Sequence, residues 1–238
     1  MKNIEKIKQN IQKMLSEKFH KNIDINNLSL MNEGEYLNAS VFRYCDDEYD
    51  FTIKDFSASP WFLKNTIGKL FVKREGSALE TLGDNPSITK NVVLLSKHTL
   101  AFNFIKGDAL KKFPDNSIPK EYFLELEKNI KMMHDKDIIH LDLRNLGNII
   151  MGEDGLPYII DFQSYISVKH LPEKLKNILK GADITGVYKC WKRKCSEPLD
   201  QEREKYFEDF NKIRKVWIFR GYPLKRLKES IKKSFKKK

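Results

Sequence analysis

The sequence predicts an α+β chain in two parts, a β-rich N-terminal part over 1–106 and a shorter helical part over 107–238. Three observations carry this. Short runs of β-branched and aromatic residues crowd the first hundred positions around one internal helical pattern. Beyond Gly107 the apolar spacing becomes mainly helical. At 238 residues and 40% apolar content, the chain can bury a core without disulfides or structural metal.

Taken in order, Ile4, Ile7, Ile11, Met14, Leu15 and Phe19 recur at helical spacing and predict a helix over 4–19. Strands are expected over 27–31, 37–44 and 49–56. The acidic turn Cys45-Asp46-Asp47-Glu48 closes the last two into a hairpin. Pro60 opens a helix through Ile67, Leu70, Phe71, Ala78 and Leu82, which Gly83-Asp84-Asn85-Pro86 ends. Two short strands follow over 92–96 and 99–105, and a hinge near 105–108 separates the parts. Pro119 then opens a helix with Tyr122, Phe123, Leu126, Ile130 and Met133 on one face. A loop over 140–147 leads into strands at 148–151 and 158–160, joined by Gly152-Glu153-Asp154-Gly155. The remainder reads as helix with breaks near Gly181, Pro198 and Pro223.

No run of 18 apolar residues is present, so no membrane-spanning helix is expected. The first residues are charged and lack the apolar stretch of a secretion signal. Three cysteines form an odd set, and Cys190 and Cys195 have no histidine nearby; they are expected to be idle thiols in a reducing cytoplasm. The net charge of +11 is unevenly spread. Residues 1–170 hold 23 Lys/Arg against 24 Asp/Glu, whereas 171–238 hold 21 against 9. The excess belongs to the C-terminal third, and its last 18 residues carry 8 cations against a single acid.

The segment with chemistry in it is Ile139-His140-Leu141-Asp142-Leu143-Arg144-Asn145-Leu146-Gly147-Asn148, followed by Tyr158-Ile159-Ile160-Asp161-Phe162-Gln163. A His-x-Asp on a loop after a helix offers a positioned carboxylate. Antiparallel strands would then bring Asn148 and Asp161 together, an amide oxygen beside a carboxylate. Hard oxygen donors of this kind suit Mg²⁺, with waters and substrate phosphates completing its shell. Upstream, Lys54 lies in a strand and Glu75 on the following helix. An inward lysine is costly unless a carboxylate or phosphate pairs with it.

These motifs together resemble the protein-kinase-like superfamily, of the small bacterial RIO-like and lipopolysaccharide core kinase type. The resemblance covers roughly residues 28–165 and includes Leu143-Arg144 after the aspartate, Ile53-Lys54-Asp55-Phe56 and Lys73-Arg74-Glu75. It implies a two-lobed kinase-like fold with a β-rich N-lobe and a short helical C-lobe. It further implies an ATP- and Mg²⁺-dependent phosphotransferase. By that resemblance Lys54 contacts nucleotide phosphates and Glu75 holds it, with Gly34 in the phosphate cover. Asp142 accepts the acceptor hydroxyl's proton or orients that hydroxyl, His140 orients the loop, Arg144 places a positive charge beside the transferring group, and Asn148 and Asp161 hold the metal.

Three departures stand out. Asn148 is six residues after Asp142, where the kinase template has five, which places one extra residue between Asn145 and Gly147. Asn32-Glu33-Gly34-Glu35-Tyr36 supplies one glycine in place of a Gly-x-Gly-x-x-Gly loop. Asp161-Phe162 is followed by Gln163, which lacks glycine's freedom at positive φ and implies a fixed loop. Only 77 residues follow Asp161, with no Ala-Pro-Glu, too few for a full peptide-binding platform.

The expected acceptor is therefore a sugar hydroxyl on lipopolysaccharide core or a similar anionic glycolipid. The rivals are a RIO-like serine/threonine kinase and a nucleotide-binding scaffold without turnover. Residues 223–238 allow three readings: a packed last helix with a solvated lysine end, a peripheral contact with an anionic membrane surface at its cytoplasmic face, or a contact with nucleic-acid phosphates.

Overall fold

The structure, a computed structural model, describes residues 3–34 and 38–216. The chain forms two compact units. Among the described residues, the first comprises those up to Glu80 with Thr89–Ile105, and the second comprises Thr81–Ile88 with those from Lys106 to Val216. Where the sequence suggests one uninterrupted N-terminal part, the short stretch 81–88 belongs with the second unit. Ser87 explains this: its carbonyl accepts the Ile159 amide at 2.9 Å and its hydroxyl accepts from Asn129 at 2.8 Å.

In the first unit, α1 (Ile4–Phe19) is capped by the Asn3 side chain, which accepts the Lys6 amide, and ends on left-handed His20. Strands β1 (Leu28–Asn32), β2 (Ser40–Cys45), β3 (Asp50–Asp55), β4 (Val93–Ser96) and β5 (Thr99–Asn103) form an antiparallel sheet in the order β1-β2-β3-β5-β4. Ile7, Ile11 and Leu15 pack with Phe42, Tyr44, Phe51 and Ile53, so one sheet face is buried under α1. Because side chains alternate along a strand, Lys54 points to the opposite face from Ile53.

The helix expected from Pro60 has three parts: α2 (Trp61–Leu63), a π turn over Lys64–Gly68, and α3 (Lys69–Thr81). Asn65 and Thr66 donate side-chain hydrogen bonds to the carbonyls of Trp61 and Phe62, four residues back in each case. Such back-bonding competes with the helical ladder and accounts for the local irregularity. The hairpin turn expected at 45–48 is built on Asp46. One of its oxygens accepts the Glu48 and Tyr49 amides, and the other accepts the Tyr44 hydroxyl and the Lys21 ammonium.

In the second unit, β6 (Gly107–Ala109), β8 (Ile149–Gly152) and β9 (Pro157–Ile159) make a three-stranded antiparallel sheet in the order β6-β8-β9. The two-residue strands β7 (Ile138–Ile139) and β10 (Ile166–Ser167) pair separately. Helix α4 (Lys120–Asp135) buries the face expected of it. Helix α5 runs unbroken over Glu173–Lys194, against the expected break at Gly181. The glycines serve close packing here. A Cβ on Gly181 would lie 2.3 Å from the Phe210 ring on α6 (Gln201–Val216), and one on Gly186 would lie 3.2 Å from the backbone of Leu143 and Arg144. The start of the expected 37–44 strand at Leu37 and the expected helix from Pro223 lie outside the described residues.

Burial alone would raise the Asp46 carboxyl, but hydrogen bonds from Tyr44, Lys21 and the turn amides hold it well below the usual carboxylate range. Its stabilisation is therefore complete above the unfolded-state value of about 4 and fades as pH falls through the lower folded value. Asp46→Asn should lose about 1–2 kcal/mol in urea unfolding at pH 7. The gap to the parent should narrow below about pH 4; a gap independent of pH would contradict this assignment.

Candidate active site

In the first unit, Lys54 on β3 and Glu75 on α3 meet with Nζ donating to Oε1 at 2.6 Å. Both side chains are buried, so each charge depends on the other in a low-dielectric setting. Lys54 is fixed from both sides by strand pairing, opposite Val41 on β2 and Leu100 on β5. Gly34 follows β1 where the chain passes close to Asn38 and Ala39. A Cβ there would sit 2.2 Å from both of their carbonyl oxygens, so only glycine fits.

In the second unit, the loop after β7 folds as two consecutive turns. Asn145 N–H donates to the Asp142 carbonyl at 3.3 Å, and Asn148 N–H donates to the Asn145 carbonyl at 2.9 Å. This doubled turn absorbs the extra residue. Asn145 Oδ1 accepts the Gly147 amide, and its Nδ2 donates to Asn148 Oδ1 at 3.1 Å. The Asn148 amide nitrogen in turn donates to Asp142 at both the carboxylate, 2.9 Å, and the main-chain oxygen, 3.2 Å. The six-residue spacing thus still joins Asn148 to Asp142.

Asp161 closes the arrangement. Ile160 N–H donates to the Asn148 carbonyl at 3.0 Å, which carries the β8–β9 ladder one step further and sets residue 161 beside the start of β8. Asp161 has left-handed dihedrals, φ 69° and ψ 62°, and so does Leu141 at φ 65°, immediately before Asp142. Left-handed backbone in a bulky residue such as Leu141 is uncommon and is maintained only by surrounding contacts. The freedom expected to matter at Gln163 is exercised two residues earlier; Gln163 is buried in a 3₁₀ turn over Phe162–Ser164.

Burial raises the Asp142 carboxyl above its ordinary range, and the Asp161 charge adds to this while the Asn148 hydrogen bond opposes it. A carboxylate made more basic in this way is better suited to accept a proton. Among the described residues no group of three His, Cys, Asp or Glu is placed to hold a metal. The oxygen-only set of Asp161 and Asn148 beside Asp142 fits an ion that takes few protein ligands and completes its shell with phosphates and water, as Mg²⁺ does.

Two further expected site residues, His140 and Arg144, are held by contacts within the second unit. His140 has no solvent exposure. Its Nδ1 accepts the Asp142 amide at 3.2 Å, its Nε2 faces the Ile160 carbonyl at 3.0 Å, and its ring lies edge-on to Phe162. These partners assign the proton to Nε2, and His140 is a positioning residue linking the loop to β9. Arg144 turns toward the helices: its Nη2 donates to the Thr185 carbonyl at 3.4 Å and to Asn211 Oδ1 at 3.3 Å. The room left by Gly186 admits its stem, so the structure anchors Arg144 on α5 and α6 and does not aim it beside Asp142.

Sequence reasoning missed Asp183 and Asn145. Asp183, buried on α5, accepts the His140 amide at 2.7 Å and the Leu141 amide at 2.8 Å, and lies 3.2 Å from His134 Nε2. An aspartate inside the otherwise apolar or small run Gly181-Ala182-Asp183-Ile184-Thr185-Gly186 was the available signal.

A β-sheet unit with a buried Lys–Glu pair, and a second unit with a His-x-Asp loop and a strand-borne Asn and Asp, define the protein-kinase-like class. Comparison with known families adds that the RIO domain matches residues 9–204, and the chain belongs to that family. Membership makes it a kinase-like, ATP-using phosphotransferase. No curated protein matches the chain.

Asn145→Ala should remove the side-chain bonds to Asn148 Oδ1 and the Gly147 amide and so loosen the placement of Asn148. Turnover should fall about 10–10²-fold, consistent with the cost of a 1 Å misplacement, with the unfolding midpoint little changed. Unaltered turnover would show that the loop holds its geometry without Asn145.

Proposed function

We propose that the chain transfers the γ-phosphoryl group of ATP to an alcohol acceptor, with Asp142 orienting the hydroxyl and taking its proton. The acceptor oxygen forms its bond to phosphorus as the bond from phosphorus to the β–γ bridging oxygen breaks and ADP leaves. The observation that carries this reading is the hydrogen bond from Asn148 to Asp142, which ties the proton-accepting carboxylate to the candidate metal-binding oxygens. Asn148 and Asp161 would hold Mg²⁺, which when bound neutralises charge on the phosphates. Lys54, kept in place by Glu75, contacts the nucleotide phosphates. Positioning and charge neutralisation are most of what phosphoryl transfer requires.

For the acceptor, RIO family membership favours a serine or threonine hydroxyl on a protein. A sugar hydroxyl of an anionic glycolipid is the second reading, favoured by the short connection from Asp161 to α5, which begins at Glu173 and leaves no room for a long peptide-positioning segment. Both place the reaction in the cytoplasm, the second at the inner face of the membrane.

Asp142→Asn should lower transfer by about 10²–10⁴-fold while ATP affinity stays within a few-fold. Unchanged turnover would remove Asp142 from the mechanism. Asp161→Ala should abolish the Mg²⁺ dependence of ATP binding measured by calorimetry; if that dependence persists, the metal-holding role is wrong. Radiolabelled ATP offered with protein and glycolipid acceptors side by side separates the two readings. Label in neither, with ATP still bound, would identify a scaffold without turnover.

A further inference from the structure

The helical run from Trp61 to Thr81 buries Glu75 on one side and presents an apolar, cationic surface on the other. Trp61 is 75% exposed, Phe62 65% and Leu70 50%. Phe62, Thr66, Leu70 and Lys73 are exposed and recur about once per turn. From residue 57 to residue 74 the sequence has four Lys/Arg and no Asp or Glu. Lys97, at the β4–β5 turn, adds to this field.

Among the described residues, none of Lys64, Lys69, Lys73 and Lys97 forms an ion pair. His98 lies among them. It is buried, its Nε2 has no hydrogen-bond partner, and burial together with the charges of Lys97, Lys64 and Lys69 lowers its pKa. The helix start at Pro60 also lacks a side-chain cap. Uncompensated positive charge and large exposed apolar side chains thus occupy one surface.

We propose that this surface docks on an anionic lipid bilayer, with Trp61, Phe62 and Leu70 at the boundary between headgroups and acyl chains and Lys64, Lys69, Lys73 and Lys97 against lipid phosphates. Charge complementarity selects the partner. A second copy would bring the same cations face to face. The chain's own residues 217–238 carry nine Lys/Arg against one acid and are repelled likewise. An exposed leucine beside tryptophan and phenylalanine suits lipid better than nucleic acid, whose bases gain from stacking on aromatic rings but not on Leu70. The proposal is independent of which acceptor the kinase uses.

The test is co-sedimentation of the full chain with phosphatidylcholine vesicles containing or lacking about 30% phosphatidylglycerol, a range where each basic residue near the surface adds about fivefold in partitioning. Binding should require the anionic lipid. It should fall by about tenfold or more in Trp61→Ala/Phe62→Ala, and likewise in Lys64→Glu/Lys69→Glu. All four side chains are at the solvent-facing surface, and a cooperative unfolding transition matching the parent confirms that each variant is folded. Tryptophan emission should shift to the blue on vesicle addition, and Trp61→Phe should remove most of that shift while preserving binding. Absence of binding by the parent, or binding that neither double substitution weakens, overturns the proposal. So does loss of single-stranded RNA binding in both variants with vesicle binding unchanged.

Discussion

One buried carboxylate holds the candidate site together. Asp183 is 1% exposed, and a charge so placed is tolerated only where donors converge on it. The amides of His140 and Leu141 and the ring of His134 supply them. Asp183 thereby fixes the main chain of the two residues before Asp142, including Leu141 in its left-handed conformation. Helix α5 reinforces this three and seven residues later. Gly186 lets the backbone of Leu143 and Arg144 approach, and the Cys190 thiol donates to the Leu143 carbonyl at 3.4 Å. The loop over 140–148 is therefore shaped by a helix some forty residues downstream, and its own composition is only part of the cause.

The other side of the site is built by strand pairing. The β8–β9 ladder places Asn148 and Asp161 at neighbouring ends, and His140 bridges back to β9 through the Ile160 carbonyl. Left-handed residues at 141 and 161 each cost about 1–3 kcal/mol. That cost is met by a buried network, and the strain coincides with the two carboxylates to which the chemistry is assigned. The extra residue between Asn145 and Gly147 does not loosen this frame, because Asn145 turns it into a second hydrogen-bonded turn.

Much of this was legible in the sequence where the determinants are local. Helical periodicity predicted α1 and α4, turn chemistry predicted the Asp46 hairpin, motif spacing singled out Asp142, Asn148 and Asp161, and the family resemblance added Lys54 and Glu75. What was not legible depends on contacts distant in sequence. Gly181 reads as a helix break until the Phe210 ring is seen against it. Strands β7 and β10 have two residues each, too few for a period-two pattern to register. The family resemblance implies a place for Arg144 beside the transferring group, and only the position of Asn211 on α6 shows where its guanidinium goes. The net charge of +11 proved equally local: near neutrality over 1–170 hides an acid-free stretch at 57–74.

The central claim is that Asp183 creates the active geometry of Asp142 without touching substrate. The most direct measurement compares Asp183→Asn with the parent in single-turnover phosphoryl transfer, alongside Mg·ATP affinity and urea unfolding. An amide of the same shape keeps one acceptor oxygen but turns an N–H toward a backbone donor, leaving a buried amide unsatisfied at about 1–3 kcal/mol. The account predicts a loss of about 10²-fold in the transfer rate, with cooperative folding retained and Mg·ATP affinity within a few-fold. Transfer at the parental rate would contradict it.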